Sequence, residues 1–332
     1  MEIARAIVVA TPGPGDRPWS SVGTSPKPLA PIASRPILFH TLDALRAAGV
    51  LEAALVTEPR RADAFRAAVG DGGRWGIGVR YVGCAAGADV CDALQSAGDF
   101  TGGEPVLVQR ADVVLRQRLR EHIVEFARAD LDALALMLVP ADGAGAPAPA
   151  PAGGYLLSAS AVSIVLGDRR AQTDPLVTLR EHGGHVRVLG VEGCLACDGS
   201  EASLLEANRH VLGAIRTDVG GVTLDGSEIQ GPVVIHPTAT LHNALVRGPS
   251  IIGPRTRLVD SYVGPYTSVG ADVAIEGTEI EHSIVMDGAE LLFVGSRLET
   301  SIIGRGASIV RRFGMPSAVR MSVGDGAQVA LS

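Results

Sequence analysis

The sequence predicts an α/β, doubly wound, Rossmann-like domain over residues 1–218, followed by a parallel (left-handed) β-helix over 219–332. Three observations predict this. Short apolar runs alternate with helical patterns through the first two-thirds of the chain, the order that builds a parallel sheet covered by helices. That alternation ends near residue 221. Beyond it aliphatic residues recur in steps of mostly six, some five, and Gly often follows the aliphatic, as in stacked parallel coils.

Taken in order, ARAIVVA (4–10) and EAALVTE (52–58) read as buried strands. Between them PILFHTLDALRAAGV (36–50) places Ile37, Leu38, Leu42 and Leu45 at near-helical spacing and stops at Gly49. GVRYVG (78–83) and EPVLVQRADVVL (104–115) supply two more strands, with helix-like DVCDALQSAGDF (89–100) between them. ADGAGAPAPAPAGG (141–154) reads as an Ala/Pro/Gly linker-like loop. SEASLLEANRHVLGAI (200–215) is a helix that closes the domain. In the last third the recurring positions are Ile229, Ile235, Leu241, Ile252, Leu258, Val263, Val269, Ile275 and Ile280, with the pairs Ile252-Gly253, Val263-Gly264, Val269-Gly270 and Ile303-Gly304.

A net charge of −7 and a pI near 5.6 argue against nucleic-acid binding, which favours a basic footprint. No apolar run approaches a membrane span. The start, MEIARAIVVATPGPG, reads as a first strand and not as a signal peptide. The cytoplasm is the expected location, and there the four cysteines stay reduced. Lys27 is the one lysine among 29 cationic residues, the other 28 being arginine.

A strand, a Gly/Pro loop and a helix form a setting in which backbone N–H groups cradle phosphate. Here the loop is TPGPGDRPWSSVGTSPKPL (11–29), with Gly13, Gly15, Arg17 and Lys27 as candidate contacts; a structural turn with a solvated Arg is the commoner origin of such a loop taken alone. The longer string from PGPGDR through PKPLAPIASRPILFHTLDALRAAGV resembles the N-terminal signature of sugar-1-phosphate nucleotidylyltransferases, GGxGTRL followed by (P)KPL-P-V-x-x-(K/R)-P-(I/L)-L. AAVGDGGRWGIGVRYV (67–82) is similar to that family's GDGSxFGVxIxY segment, and VEGCLACDGSEASLLEANRHVL (191–212) to its G-W-W-x-D-T-G-x-x-x-D-L-L-x-A-N. The β-helix, with SRLETSIIGRGASIV (296–310) and SVGDGAQVAL, resembles the long form of glucose-1-phosphate thymidylyltransferases, so the likeness covers nearly the whole chain.

The resemblance implies a nucleotidyltransferase-like first domain and a reaction between a nucleoside triphosphate and a sugar 1-phosphate, giving an NDP-sugar and pyrophosphate. Such chemistry is mostly positioning and charge neutralisation. It places Arg17 and Lys27 on the family's phosphate-contacting pair and Gly13, Gly15 and Asp16 in the nucleotide loop. Mg²⁺ is the implied cofactor, with Asp112 at the Asp of the family's GDN and Asp198 one residue past its DTG position, which falls on Cys197. A one-residue shift in extended backbone turns a side chain to the other face. Cys84 and Asp89 stand where the family reads the base with Gln and Gly, Pro12 replaces a loop glycine, and no second lysine exists for the family's E-K-P sugar-phosphate clamp.

Two functional readings stay open. One is an active, divergent nucleotidylyltransferase for a specialised-metabolite sugar or cyclitol. The other is a non-catalytic homologue that regulates or scaffolds an active one. Acyl transfer by the β-helix, through His236, His242 or His282, is weaker, because a surface or stacked His is commoner. Cys84, Cys91, Cys194 and Cys197 could form a zinc site, but one pair is spaced too widely and buried thiols are the favoured reading. The resemblance implies a homo-oligomer.

Overall fold

Strands that are apolar at every position, rather than every second one, are covered on both faces. The first such run, β1 (Arg5–Val9), lies inside a seven-stranded sheet. The computed structural model describes residues 3–12, 26–115, 118–139, 152–168, 174–192, 195–196 and 200–311. After β1 the described chain resumes at Pro26 with a 3₁₀ turn over Lys27–Leu29, and β2 (Pro31–Ile32) then pairs with β3 (Arg35–Pro36). Then come α1 (Ile37–Ala48), β4 (Glu52–Thr57), α2 (Ala62–Val69), β5 (Gly78–Gly83), α3 (Val90–Ser96) and the single turn α4 (Gly98–Thr101). They are followed by β6 (Val106–Arg110), β7 (Val113–Val114), α5 (Leu119–Arg128), β8 (Ala133–Val139) and β9 (Ala152–Leu157). The α/β part ends with α6 (Ala159–Gly167), α7 (Pro175–Glu181), β10 (Val186–Glu192), β11 (Leu195–Ala196) and α8 (Glu201–Leu212).

The strand order is β10-β8-β9-β6-β1-β4-β5. The wholly parallel sheet expected from the sequence needs one correction: β9 runs antiparallel to both β6 and β8. An antiparallel neighbour needs no helical crossover, so β8 and β9 join without the βαβ signature. The stretch read as linker also gives up residues 152–154 to β9. The run 104–115 is not one strand: β6 pairs with β1 and β9, whereas β7 turns away to pair with β11. The helical pattern over 89–100 breaks at Ala97 into α3 and α4.

Alternation along the strands divides two cores. Val8 and Leu107 face Leu45, Phe65 and Phe126, while Ile7, Val106 and Val108 face Leu94, Val165 and Leu179.

From Thr223 onward three parallel sheets of short strands stack as a β-helix, consistent with the left-handed form. Leu241 pairs with Leu258 and Leu258 with Ile275, so a coil is 17 residues and its sides are six, six and five. Val246 supplies the missing inward position between Leu241 and Ile252. Gly follows the inward aliphatic because the next coil's backbone passes there. A Cβ on Gly253 would stand 2.3 Å from the Gly270 carbonyl oxygen.

The two parts meet through α8. Its Leu204 and Ala207 pack with Ala30, Ile32, Ile37 and Val114 from the α/β part and with Ile284 and Met286 from the β-helix. Asn208, fully buried, accepts a hydrogen bond from Ala33 N–H (2.8 Å) and donates one to the Tyr266 carbonyl (3.1 Å). Ser34 adds a bond to the Val269 carbonyl at 2.9 Å. Removing the Asn208 amide strands both partners, at about 1–3 kcal/mol for each buried group left unpaired. Asn208→Ala is therefore expected to lower the urea midpoint by an amount equivalent to about 2–6 kcal/mol, while Asn208→Asp, which cannot donate to Tyr266, also destabilises.

Candidate active site

In an open α/β sheet the crevice for ligands lies beyond the carboxyl ends of the parallel strands, where the strand order reverses. Here that point falls between β1 and β6, since β1 pairs with β4 on one side and β6 on the other. Its walls are the segments that follow β1, β4, β5 and β6.

Of the predicted site residues after β1, Gly13, Gly15, Asp16 and Arg17 lie outside the described residues, as do Cys194, Cys197 and Asp198. Lys27 is described. It opens the 3₁₀ turn Lys27–Leu29, between Pro26 and Pro28. The two prolines fix φ on either side of it, and Leu29 N–H and Ala30 N–H close the turn on the Pro26 and Lys27 carbonyls at 2.8 and 2.9 Å. The lysine is only 9% exposed, unusual for a residue type almost always in water. Ala30, just past the turn, and Val114, just past Asp112, share one small core, which brings the Lys27 turn and the Asp112 segment to the same end of the molecule.

Asp112 follows β6 and is 5% exposed. Its two carboxylate oxygens accept a guanidinium fork from Arg110, with Nε to Oδ1 at 2.9 Å and Nη2 to Oδ2 at 2.6 Å. Arg110 ends β6 and Asp112 lies in the turn at 111–112 that leads into β7, so the fork spans the strand end and the turn that follows it. Sequence reasoning misses Arg110, although the QRAD string carries the spacing. On the far side of Asp112, Val113 opposes Ala196, the residue before Cys197, so the segments expected to carry the two metal carboxylates meet at this edge as far as Ala196.

The donor set can be tested against Mg²⁺, which demands oxygen ligands in near-octahedral array. Both Asp112 oxygens are engaged by a fixed cation, and a divalent ion there would sit beside that like charge. The described part of the site does not fit a divalent metal as it stands. Among the described residues no cluster of three or more His, Cys, Asp or Glu could hold one.

Two further walls have structural occupations. Asp89 caps α3 reciprocally: its Oδ1 accepts Asp92 N–H at 2.9 Å, and Asp92 Oδ2 accepts Asp89 N–H at 3.1 Å. Glu58, beyond β4 and 3% exposed, pairs with Arg60 and Arg61, and the Arg60 hydrogen bond chiefly holds its carboxyl below the usual range. Glu58 also escapes sequence reasoning, because nothing in TEPRR distinguishes a buried glutamate from a surface one. Gln109, one residue before Arg110 and 1% exposed, is buried with neither amide atom hydrogen-bonded among the described residues.

The histidines considered for acyl transfer are dispersed. His236 bonds Thr238 (2.9 Å), His242 bonds Asp225 (2.7 Å), and His282 stacks on Tyr266 with centroids 5.4 Å apart. Cys84 and Cys91 are buried in one core, and Ser96 Oγ donates to the Cys84 sulfur at 3.2 Å. Burial first, then Asp89 and Asp174, pushes the Cys91 thiol up to about 12. At pH 8 its thiolate fraction is then on the order of one in ten thousand. Peptide mapping after iodoacetamide at pH 8 is expected to find Cys91 unmodified in native protein and fully alkylated in guanidinium chloride.

The nucleotidyl transferase family model matches residues 6–145. The chain is 32% identical to a glucose-1-phosphate thymidylyltransferase of Streptomyces griseus, over 99% of both chains. It is 29% identical to one of Streptomyces antibioticus, over 98% of this chain and 99% of that one. A crystal structure of a putative glucose-1-phosphate thymidylyltransferase of Bacillus anthracis, with sucrose bound, superposes with a TM-score of 0.51 at 19% identity, covering 61% of this chain and 93% of that one, a likeness of fold. With relatives matched end to end and the sheet and the β-helix in place, this chain belongs to the sugar-1-phosphate nucleotidylyltransferase family, alongside the long glucose-1-phosphate thymidylyltransferases.

Proposed function

We propose that this protein is a divergent sugar-1-phosphate nucleotidylyltransferase homologue that binds a nucleoside triphosphate at the Lys27 turn and in which transfer to a sugar or cyclitol 1-phosphate is slowed or altered. The observation that carries this reading is the Arg110 fork on Asp112. The family is generally dependent on a divalent metal, and Asp112 and Asp198 are the residues that the resemblance assigns to it. With Asp112 committed to a guanidinium, what the chain's own residues supply is position and charge. Lys27, a compact ammonium held by two prolines, fits a crowded phosphate pocket better than a planar fork would. Arg17 and the N–H groups of Gly13, Gly15 and Asp16 complete the triphosphate cradle in this proposal.

The same reading keeps 1–218 as the nucleotidyltransferase-like domain and 219–332 as the β-helix domain of a cytoplasmic homo-oligomer. A second reading, a non-catalytic partner of a complete homologue, is favoured by one observation. The sequence contains no second lysine to clamp a sugar phosphate. Co-purification of such a homologue, in place of a self-contained homo-oligomer, decides for it.

Pyrophosphate release, screened over nucleoside triphosphates and sugar 1-phosphates with Mg²⁺, is the direct test. The expected turnover is at least about a hundredfold below that of a relative with an unforked Asp, the scale of losing one electrostatic contribution. Triphosphate binding, followed by fluorescence, is expected to weaken about tenfold or more in Lys27→Ala and to be only partly restored in Lys27→Arg. Turnover at the relative's rate contradicts the impaired-transfer reading, and a folded protein that binds no triphosphate contradicts the whole proposal.

A further inference from the structure

The Arg110–Asp112 pair differs from the other ion pairs in the described structure. Nearly all of those join side chains that are substantially exposed, such as Arg255–Asp272 at 62% and 53%. Such pairs contribute little. Here the carboxylate side chain is 7% exposed and the guanidinium 21%, and the contact is bidentate. The buried Glu58 also has an arginine two residues on, but that Arg60 is 71% exposed. Among the described residues, only the pair after β6 combines two largely buried partners, a matched fork and a place beside the strand-order reversal.

Position gives the pair its meaning. The strand β6 is bonded on both edges, with Val9 opposite Arg110 and Tyr155 opposite Val108. The backbone at Arg110 is thereby held, and Ala111 N–H, bonded to the Val9 carbonyl at 2.9 Å, anchors the start of the turn that presents Asp112. Separating the two would leave an uncompensated charge at a site mostly closed to water, a strongly unfavourable state for a buried pair. A hard divalent ion would have to displace the fork against that penalty or accept a guanidinium within contact distance.

We propose that Arg110 is a protein-borne cation that has taken over Asp112, so that this carboxylate holds no divalent metal and the positive charge at this point of the cleft is permanent. The inference rests on the proposed alignment of Asp112 with the family's metal-position carboxylate. A guanidinium carries one charge where the metal carries two, and it presents directional N–H donors rather than exchangeable coordination sites. The cleft is thereby suited to a polyphosphate anion independently of the metal supply, but lacks the second charge and the coordination that draw a phosphoryl group into line.

The test is a Mn²⁺ titration of the full chain followed by the EPR signal of the free ion, with no nucleotide present. Wild-type protein and Asp112→Asn are expected to give the same isotherm. Arg110→Leu is expected to gain an ion at least about tenfold more tightly bound than any in wild type, the scale of one charge-assisted bidentate pair. That gain is expected to vanish in Arg110→Leu/Asp112→Asn. Wild-type Mn²⁺ binding that Asp112→Asn weakens overturns the proposal. So does an Arg110→Leu isotherm equal to wild type in protein whose circular dichroism and urea midpoint show it folded. If Arg110→Leu does not fold, Arg110→Gln, which keeps hydrogen bonding without the charge, carries the same comparison. Because no nucleotide enters the titration, its outcome does not depend on whether the protein binds a triphosphate.

Discussion

The strand β6 is clamped between a parallel and an antiparallel neighbour, and the geometry of the cleft depends on that clamp. Register with β1 fixes where the strand ends, and the bond from Ala111 N–H to the Val9 carbonyl at 2.9 Å fixes the start of the turn beyond it. Arg110, the last residue of β6, and Asp112, in the turn that follows, meet across that strand end. The next residues turn away as β7 and pair with β11, which brings the segment before Cys197 to the same edge. One pairing pattern thus sets the cleft wall, the fork, and the approach of the segment expected to complete a metal site.

A second constraint joins the cleft to the β-helix. After the Lys27 turn, β2 and β3 are joined by Ala33 and Ser34, which adopt left-handed backbone at φ 47° and 60°. This connection is held from outside: Asn208 satisfies Ala33 N–H, and the β-helix backbone accepts from Ser34. The packing of Ile32 and Ile37 against Leu204 and Ile284 supplies the apolar part of the same junction. The stacked coils therefore brace the segment that carries the sole lysine, a connection between folding energetics and the candidate site.

The legible parts of this fold are those whose signals are local. β1, β4, α1 and α8 follow from apolar runs and helical spacing within a dozen residues, and the β-helix from a repeat that survives averaging. The parallel coil of 17 residues is visible in the sequence as mixed steps of six and five, even without its inward Val246. The antiparallel β9 is hidden because Ala152, Gly153 and Gly154 continue an Ala/Pro/Gly stretch, and what makes them a strand is pairing with β6 and β8. At the site, Lys27 and Asp112 are legible through resemblance. Arg110 is not, because a lone arginine in a strand says nothing until its partner's burial is known. Asp89 stands in the sequence where the resemblance puts a base-reading glycine, whereas in the fold its carboxylate is committed to a helix start.

The central question is whether Asp112 belongs to Arg110 or to a metal. A crystal structure of the full chain grown with millimolar Mn²⁺, with anomalous maps recorded at the manganese edge, addresses this most directly. Commitment to Arg110 requires no anomalous peak within coordination distance of Asp112 and an intact two-bond fork. A manganese ion on Asp112, with the guanidinium swung away, would show instead that the carboxylate is a metal ligand.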